Sequence, residues 1–177
     1  MQIILLSGKA ESGKSTVALM VKEILESKDK KVLKMAYGDL VKYLCGKYFN
    51  WDGQKDEKGR EILQQIGTNV IREKSPNYWV DFVIDFVNLF KDEYDFVIID
   101  DCRFKNELER WDIGDWDTYI VRVERKGHTS SLTQTQLLHP SETSLDTYHF
   151  DYYIESKDGM DALKIEVDKF IKYMEVN

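Results

Sequence analysis

The chain opens with a short apolar run at residues 2–6, QIILL. It then turns at once into a glycine-bounded segment, Gly8-Lys9-Ala10-Glu11-Ser12-Gly13-Lys14-Ser15. Every fixed position of G-x-x-x-x-G-K-[ST] is filled, between a predicted strand and a predicted helix, which is the context the pattern requires. The constraint is chemical as well as geometric. Glycines let the backbone approach closely and take unusual dihedrals, so successive N–H groups and the positive end of the following helix can solvate phosphate oxygens. Lys14 adds a point charge for the β- and γ-phosphates, and the Ser15 hydroxyl suits Mg2+. Gly8 to Ser15, with Thr16 behind them, are therefore the candidate cradle for ATP and its Mg2+. Such a loop does not choose between kinase, GTPase and ATPase, and the acceptor must be sought elsewhere.

The rest of the chain alternates strand and helix signals. Val17, Leu19, Met20, Val21, Ile24 and Leu25 have helical spacing within 15–27, and 31–36 reads as a strand ended by the Gly38-Asp39 turn. A helix is expected over 39–48, a polar exposed loop over 50–60, and a helix carrying Ile62, Leu63, Ile66 and Val70 until Pro76 breaks it. Residues 78–90 put Trp79, Phe82, Val83, Phe86 and Phe90 on one stripe. Strands follow at 96–99, 117–123 and 151–154. The stretch 127–143 lacks periodicity and is expected to be a mobile loop, and Asp158 or Ser156 is expected to cap a last helix bearing Leu163, Ile165, Val167, Phe170 and Ile171. Strands alternating with helices predict an α/β fold with a mostly parallel sheet flanked by helices. Together with the phosphate loop this is the three-layer P-loop NTPase arrangement, as a single domain over 1–177 with a small lid at about 125–145.

Composition narrows the partners. The net charge is −7, from 32 acidic and 25 basic residues, which argues against a broad basic surface for a nucleic acid polymer, so cations must be gathered where phosphates go. The longest apolar runs are far too short to cross a membrane. The N-terminus lacks the pattern of a secretory signal, and Cys45 and Cys102 are the only thiols, so a cytoplasmic chain with reduced cysteines is expected.

A second cluster sits in FVIIDDCR, at residues 96–103, where two carboxylates close a buried strand. Open α/β sheets bind ligands at that edge. Asp100 is the first candidate to face the metal opposite Ser15, with Asp101 as the alternative. Arg103 offers a fork suited to phosphate, although an ion pair with Glu107 competes for it. Arg122, Arg125 and Lys126 lead into the polar loop, where cations can close over a transferring phosphate.

With these residues in view, the chain resembles the phage-type deoxynucleoside monophosphate kinases over almost its whole length. The phosphate loop is followed by YGDLVK, REILQQIGTNVIRE, DDCRFKNELE, and HPSETSLD before FDYYI. The resemblance implies transfer of the γ-phosphate of ATP to a deoxynucleoside monophosphate, with Lys14, Arg103 and Arg125 as catalytic residues. It implies that Asp39, Lys42, Arg60, Gly67, Thr68, Trp79, Arg103 and Glu107 surround the acceptor. It also puts Arg125 at the start of the lid, with His139 and Glu142 in the H-x-S-E element after it, and it admits a homodimer. Kinases of another small phosphorylated acceptor, such as phosphomevalonate, share part of this layout, and a nucleotide-binding switch or ATPase is the alternative from another class.

Overall fold

In the computed structural model, which describes residues 1–114, 116–127, 129–156 and 159–176, the β-branched runs become five strands. These are β1 (Gln2–Ser7), β2 (Val32–Met35), β3 (Phe96–Cys102), β4 (Asp117–Arg125) and β5 (Tyr152–Ser156). All pair in parallel, in the order β2-β3-β1-β4-β5. Side chains alternate across a strand, yet Ile3, Ile4, Leu5 and Leu6 of β1 and Val97, Ile98 and Ile99 of β3 are all fully buried, as a sheet covered on both faces requires.

Register then places the chemistry. Ser7 pairs with Arg122 across β1 and β4. Between β1 and β3, Leu5 faces Ile99 and Ser7 faces Cys102, so Asp100 and Asp101 together stand opposite Leu6 alone. This is a bulge, the device by which a strand end re-aims its side chains.

Two compact units result, Met1–Met35 with Phe90–Asn177, and Ala36–Leu89. In the first, α1 (Lys14–Glu26) and α8 (Met160–Val176) cover one face of the sheet. Val17, Val21, Leu163, Val167 and Phe170 pack there against Ile4, Leu6, Ile98, Val121, Val123 and Ile154. Each such fully buried aliphatic or aromatic side chain contributes about 1.5–3 kcal/mol. The short α5 (Lys105–Glu109) buries Leu108.

The second unit holds α2 (Gly38–Tyr48), α3 (Glu57–Gln64), a π-helical stretch (Gln65–Arg72) and α4 (Tyr78–Leu89). Asp56 caps α3 by accepting the Gly59 N–H at 2.7 Å, so the helix begins within the expected polar loop. The π turn continues α3, and sequence periodicity carries no separate signal for it. On α4 the buried side chains are Trp79, Val80, Val83 and Val87, whereas Phe82 is 43% exposed and Phe90, just past the end of the helix, is 37% exposed. The buried stripe is thus rotated from the expected one. Valines at 80 and 87 form the seam, and two of the three phenylalanines lie off it.

The segment expected to be a mobile loop instead holds two capped turns of helix, α6 (Gln134–Leu137) and α7 (Pro140–Thr143). Thr133 and Gln136 cap each other's backbone N–H groups at 3.3 and 3.0 Å. The expected cap for α8 at Asp158 lies outside the described residues, and Ser156 is part of β5.

Truncating α4 tests its orientation. Val87→Ala should cost about 2 kcal/mol in urea unfolding and Phe82→Ala less than about 1 kcal/mol, whereas the expected stripe gives the opposite order.

Candidate active site

The site is built where β1, β3 and β4 end side by side. After Ser7, the chain wraps from Gly8 to Gly13. A Cβ on Gly8 would lie 2.3 Å from the Val123 carbonyl oxygen, so only glycine lets β4 press so closely on the loop. Gly13 takes a left-handed φ of 95° and offers no capping side chain, and the first turn of α1 carries no acidic residue. The leading N–H groups of α1 are therefore left for an anion, at the positive end of the helix. Glu11 also holds a left-handed φ, 63°, a strain typical of functional turns.

Lys14 is 7% exposed, and its ammonium donates to the Gly8 and Lys9 carbonyls, each at 2.7 Å. Burial lowers its pKa to about 7. The Arg103 charge lowers it too, Glu142 and Asp101 push it back up, and Arg122 lowers it further. These are the charges that converge on the loop. Arg103 follows directly after β3, Arg122 comes from within β4, Asp101 from the bulge, and Glu142 from α7.

The Arg103 guanidinium does not pair with Glu107. Its Nη1 donates to Glu142 Oε1 at 2.7 Å and to the Ser141 carbonyl at 3.4 Å. Glu107, 2% exposed, accepts instead from the backbone N–H groups of Arg103 at 2.5 Å and Phe104 at 3.0 Å. A carboxylate buried on two backbone donors fixes the chain at Arg103 and so aims its side chain. The other oxygen of Glu142 accepts the Ala10 N–H at 2.8 Å, so one carboxylate joins the phosphate loop to Arg103.

Arg122, expected to lead into the polar loop, lies instead within β4 as a buried part of the site. It is 7% exposed, with Nη1 3.4 Å from Ser7 Oγ, Nη2 3.6 Å from Asp146 and its guanidinium over the Phe150 ring. An arginine between Val121 and Val123 on a strand buried on both sides is the signal that marks it. Arg125 is exposed at the end of β4 and has no ion-pair partner among the described residues. A cavity of about 250 Å3 opens there, lined by Lys9, Ala10, Ser12, Arg122, Arg125 and Glu142 among others.

Asp100 is 5% exposed and bound by Lys34 at 2.8 Å. Asp101 is half-buried and close enough to act on Lys14. Ser15 is exposed at the start of α1. A hydroxyl, a carboxylate and phosphate oxygens form an all-oxygen donor set, which fits a hard cation such as Mg2+. Among the described residues no three His, Cys, Asp or Glu side chains gather as a metal site of their own.

His139 Nδ1 accepts the Ser141 N–H at 3.2 Å and so caps α7. Burial lowers its pKa, which favours the neutral form that this cap uses. Cys102 is buried and its thiol is pushed well above its ordinary pKa by desolvation, and Cys45 is buried too. Both are free.

In the second unit, Asp39 and Lys42 form an ion pair at 2.8 Å on α2, and Arg60 Nε donates to the Lys55 carbonyl at 2.9 Å. Trp79 is 1% exposed, and its indole N–H donates to the Gly67 carbonyl at 2.9 Å. Its ring is therefore a core element that fixes the π turn carrying Gly67 and Thr68.

The profile of the deoxynucleotide monophosphate kinase family matches residues 47–167, more than half of the chain and wholly beyond the phosphate loop. The chain belongs to this family. Its fold is shared with solved P-loop kinases. A dephospho-CoA kinase from Campylobacter jejuni is 12% identical, covering 97% of this chain and 96% of its own, with a TM-score of 0.55. A sugar kinase from Janibacter sp. is 11% identical, covering 99% and 95%, with a TM-score of 0.55. An APS kinase from Mycobacterium tuberculosis, in complex with AMPPNP and APS, is 16% identical, covering 98% and 97%, with a TM-score of 0.53. Among curated proteins nothing matches. The chain is thus an ATP-dependent nucleotide kinase, and no helix among its described residues is long and apolar enough to cross a membrane.

The lowered pKa of Lys14 has two consequences. Between about 7 and 10.5 the unfolded chain binds more protons than the folded one, so this group makes stability rise with pH through that window, and its cost is greatest below about 7. Bound phosphates restore the charged lysine, so calorimetry in buffers of different ionisation heat should find ATP binding at about pH 8 accompanied by uptake of close to one proton. A proton count of zero there contradicts the assignment.

Proposed function

We propose that this kinase transfers the γ-phosphate of ATP to a deoxynucleoside 5′-monophosphate, giving the diphosphate and ADP. One observation carries the reading. The Ala10 N–H of the phosphate loop and Nη1 of Arg103 close on a single carboxylate, at 2.8 and 2.7 Å, so a donor-side amide and an arginine from another strand converge on one anionic group. Phosphoryl transfer depends on such converging donors, because its catalysis consists mainly of positioning and charge stabilisation.

In the proposed reaction the N–H groups of residues 8–16 and the Lys14 ammonium hold the triphosphate. Arg103 holds the acceptor phosphate, and Arg122 adds charge from below the loop. Arg125, exposed on the cavity wall, is free to close on the transferring group. The acceptor phosphate is already anionic at neutral pH and needs no strong base, which agrees with His139 serving as a helix cap. For the nucleoside we propose Asp39, Lys42, Arg60, Gly67 and Thr68, with Trp79 acting from the core. Mg2+ supplies charge neutralisation of the phosphates when bound. Ser15 would hold it with Asp101, whose charge acts on Lys14 beside the loop, or with Asp100, the first candidate from the sequence, which pairs with Lys34. The buried free thiols agree with a cytoplasmic chain.

The deciding assay is coupled ADP release from ATP with each common deoxynucleoside monophosphate and with none. One or more acceptors should raise the rate at least about a hundredfold, as closure around the correct substrate does in this class. A rate independent of acceptor replaces the kinase reading by that of an ATPase or switch. Lys14→Ala should keep the melting temperature within a few degrees and lower turnover at least about a thousandfold. The two aspartates also separate. Asp101→Asn should weaken Mn2+ binding, read by electron paramagnetic resonance in the presence of ATP, more than about tenfold, while Asp100→Asn should chiefly lower stability by about 1–3 kcal/mol. The reverse pattern assigns the metal to Asp100.

A further inference from the structure

Residues 9, 10 and 11 of the phosphate loop each hold one residue of the segment that follows β4. Lys9 pairs with Asp146 at 3.2 Å, Ala10 N–H donates to Glu142, and Glu11 accepts from the backbone N–H and hydroxyl of Ser131. The outer two ties are exposed. The Lys9 and Asp146 side chains keep 50% and 40% of their surface, so they contribute little energy. The middle one is different. The Glu142 side chain is 8% exposed, and its two oxygens take one phosphate-loop N–H and one arginine N–H. Those donors are among the ones a phosphate would use.

Resting on the proposed kinase reaction, we infer that Glu142 is a positioning residue acting as an internal stand-in for phosphate. Its carboxylate occupies the anion site between Ala10 N–H and the Arg103 guanidinium, keeps Arg103 turned to the loop, and must be displaced when the nucleotide's phosphates arrive. A carboxylate presents two acceptor oxygens on one planar group, as one edge of a phosphate does, and carries less charge. Exchange is therefore favourable for a triphosphate, while a ligand without phosphate has nothing to offer the two donors. Once displaced, Glu142 faces the incoming negative charge, and its repulsion moves the 131–146 segment out of its present ties. Arg103 is released to a phosphate only by that exchange, so acceptor binding is coupled to donor binding. The surrounding charges agree, since Lys14, Arg103 and Arg122 face Glu142 and Asp101 around the loop. A merely structural role for Glu142, holding the segment down, makes the opposite prediction, because its loss would then loosen the site.

The test is calorimetric binding of ATP, tripolyphosphate and adenosine to the full chain and to Glu142→Gln, which is close in shape but uncharged. Kd for ATP and for tripolyphosphate should fall about five- to tenfold in the variant, with adenosine unchanged. Glu142→Asp, whose shorter carboxylate cannot reach both donors, should give a smaller gain in the same direction and serves if the glutamine variant does not fold. Glu166→Gln, which removes an acid paired with exposed Lys169 on α8, away from the phosphate loop, should leave all three within about twofold. Unchanged or weaker tripolyphosphate binding in both Glu142 variants overturns the inference while the kinase reading stands. Failure of the unaltered chain to bind either ATP or tripolyphosphate overturns both.

Discussion

Everything the active site does depends on a close approach of two backbones, the Gly8 turn against the Val123 carbonyl. A side chain at residue 8 would collide at 2.3 Å, so the loop can lie on the end of β4 only with glycine there. That contact sets the direction of the loop. Gly13 then turns the chain into α1 without a capping side chain or a first-turn acid, which leaves backbone N–H groups as the site's fixed positive charge. The parallel sheet holds this cradle rigidly, since β1 lies hydrogen-bonded between β3 and β4 and all three end at the same edge.

The side chains around the cradle follow from register. Arg122 comes under the loop because Ser7 pairs with it across β1 and β4. The bulge opposite Leu6 separates the roles of two consecutive aspartates, Asp100 taking Lys34 while Asp101 faces Lys14. Glu107 fixes the backbone at Arg103 and leaves the guanidinium free for Glu142. Several of these charges are largely buried and are satisfied by one another and by backbone groups, a state stable until a more highly charged ligand offers a better exchange.

Much of this was legible in the sequence. The phosphate loop, the five strands and the helices flanking them are local patterns, and the phosphate loop is fixed by eight consecutive residues. What was not legible depends on contacts between distant residues. Glu142 meets Ala10 across 132 positions and Arg122 meets Ser7 across 115, and no periodicity encodes either. The π turn at Gln65–Arg72 has the composition of an ordinary helix, and only the Trp79 hydrogen bond to Gly67 shows how its wide turn is used. The short helices after Lys126 were masked by polar composition, although their caps, Thr133 with Gln136 and His139 before Pro140, stand in the sequence. The α4 stripe keeps Trp79 and Val83 where the spacing predicts them, but the smaller Val80 and Val87 are buried with them while bulky Phe82 and Phe90 are exposed.

The central claim is that the residue 8–15 amides and the arginines of β3 and β4 hold two phosphorylated ligands end to end. It is tested most directly by a crystal structure with a bisubstrate analogue in which adenosine and deoxynucleoside are joined by a pentaphosphate. The account predicts a continuous phosphate chain running from the N-terminus of α1 past Lys14 to Arg103, with the Glu142 carboxylate no longer on the Ala10 N–H. A phosphate chain bound away from that loop, or one that leaves Arg103 on Glu142, would contradict it.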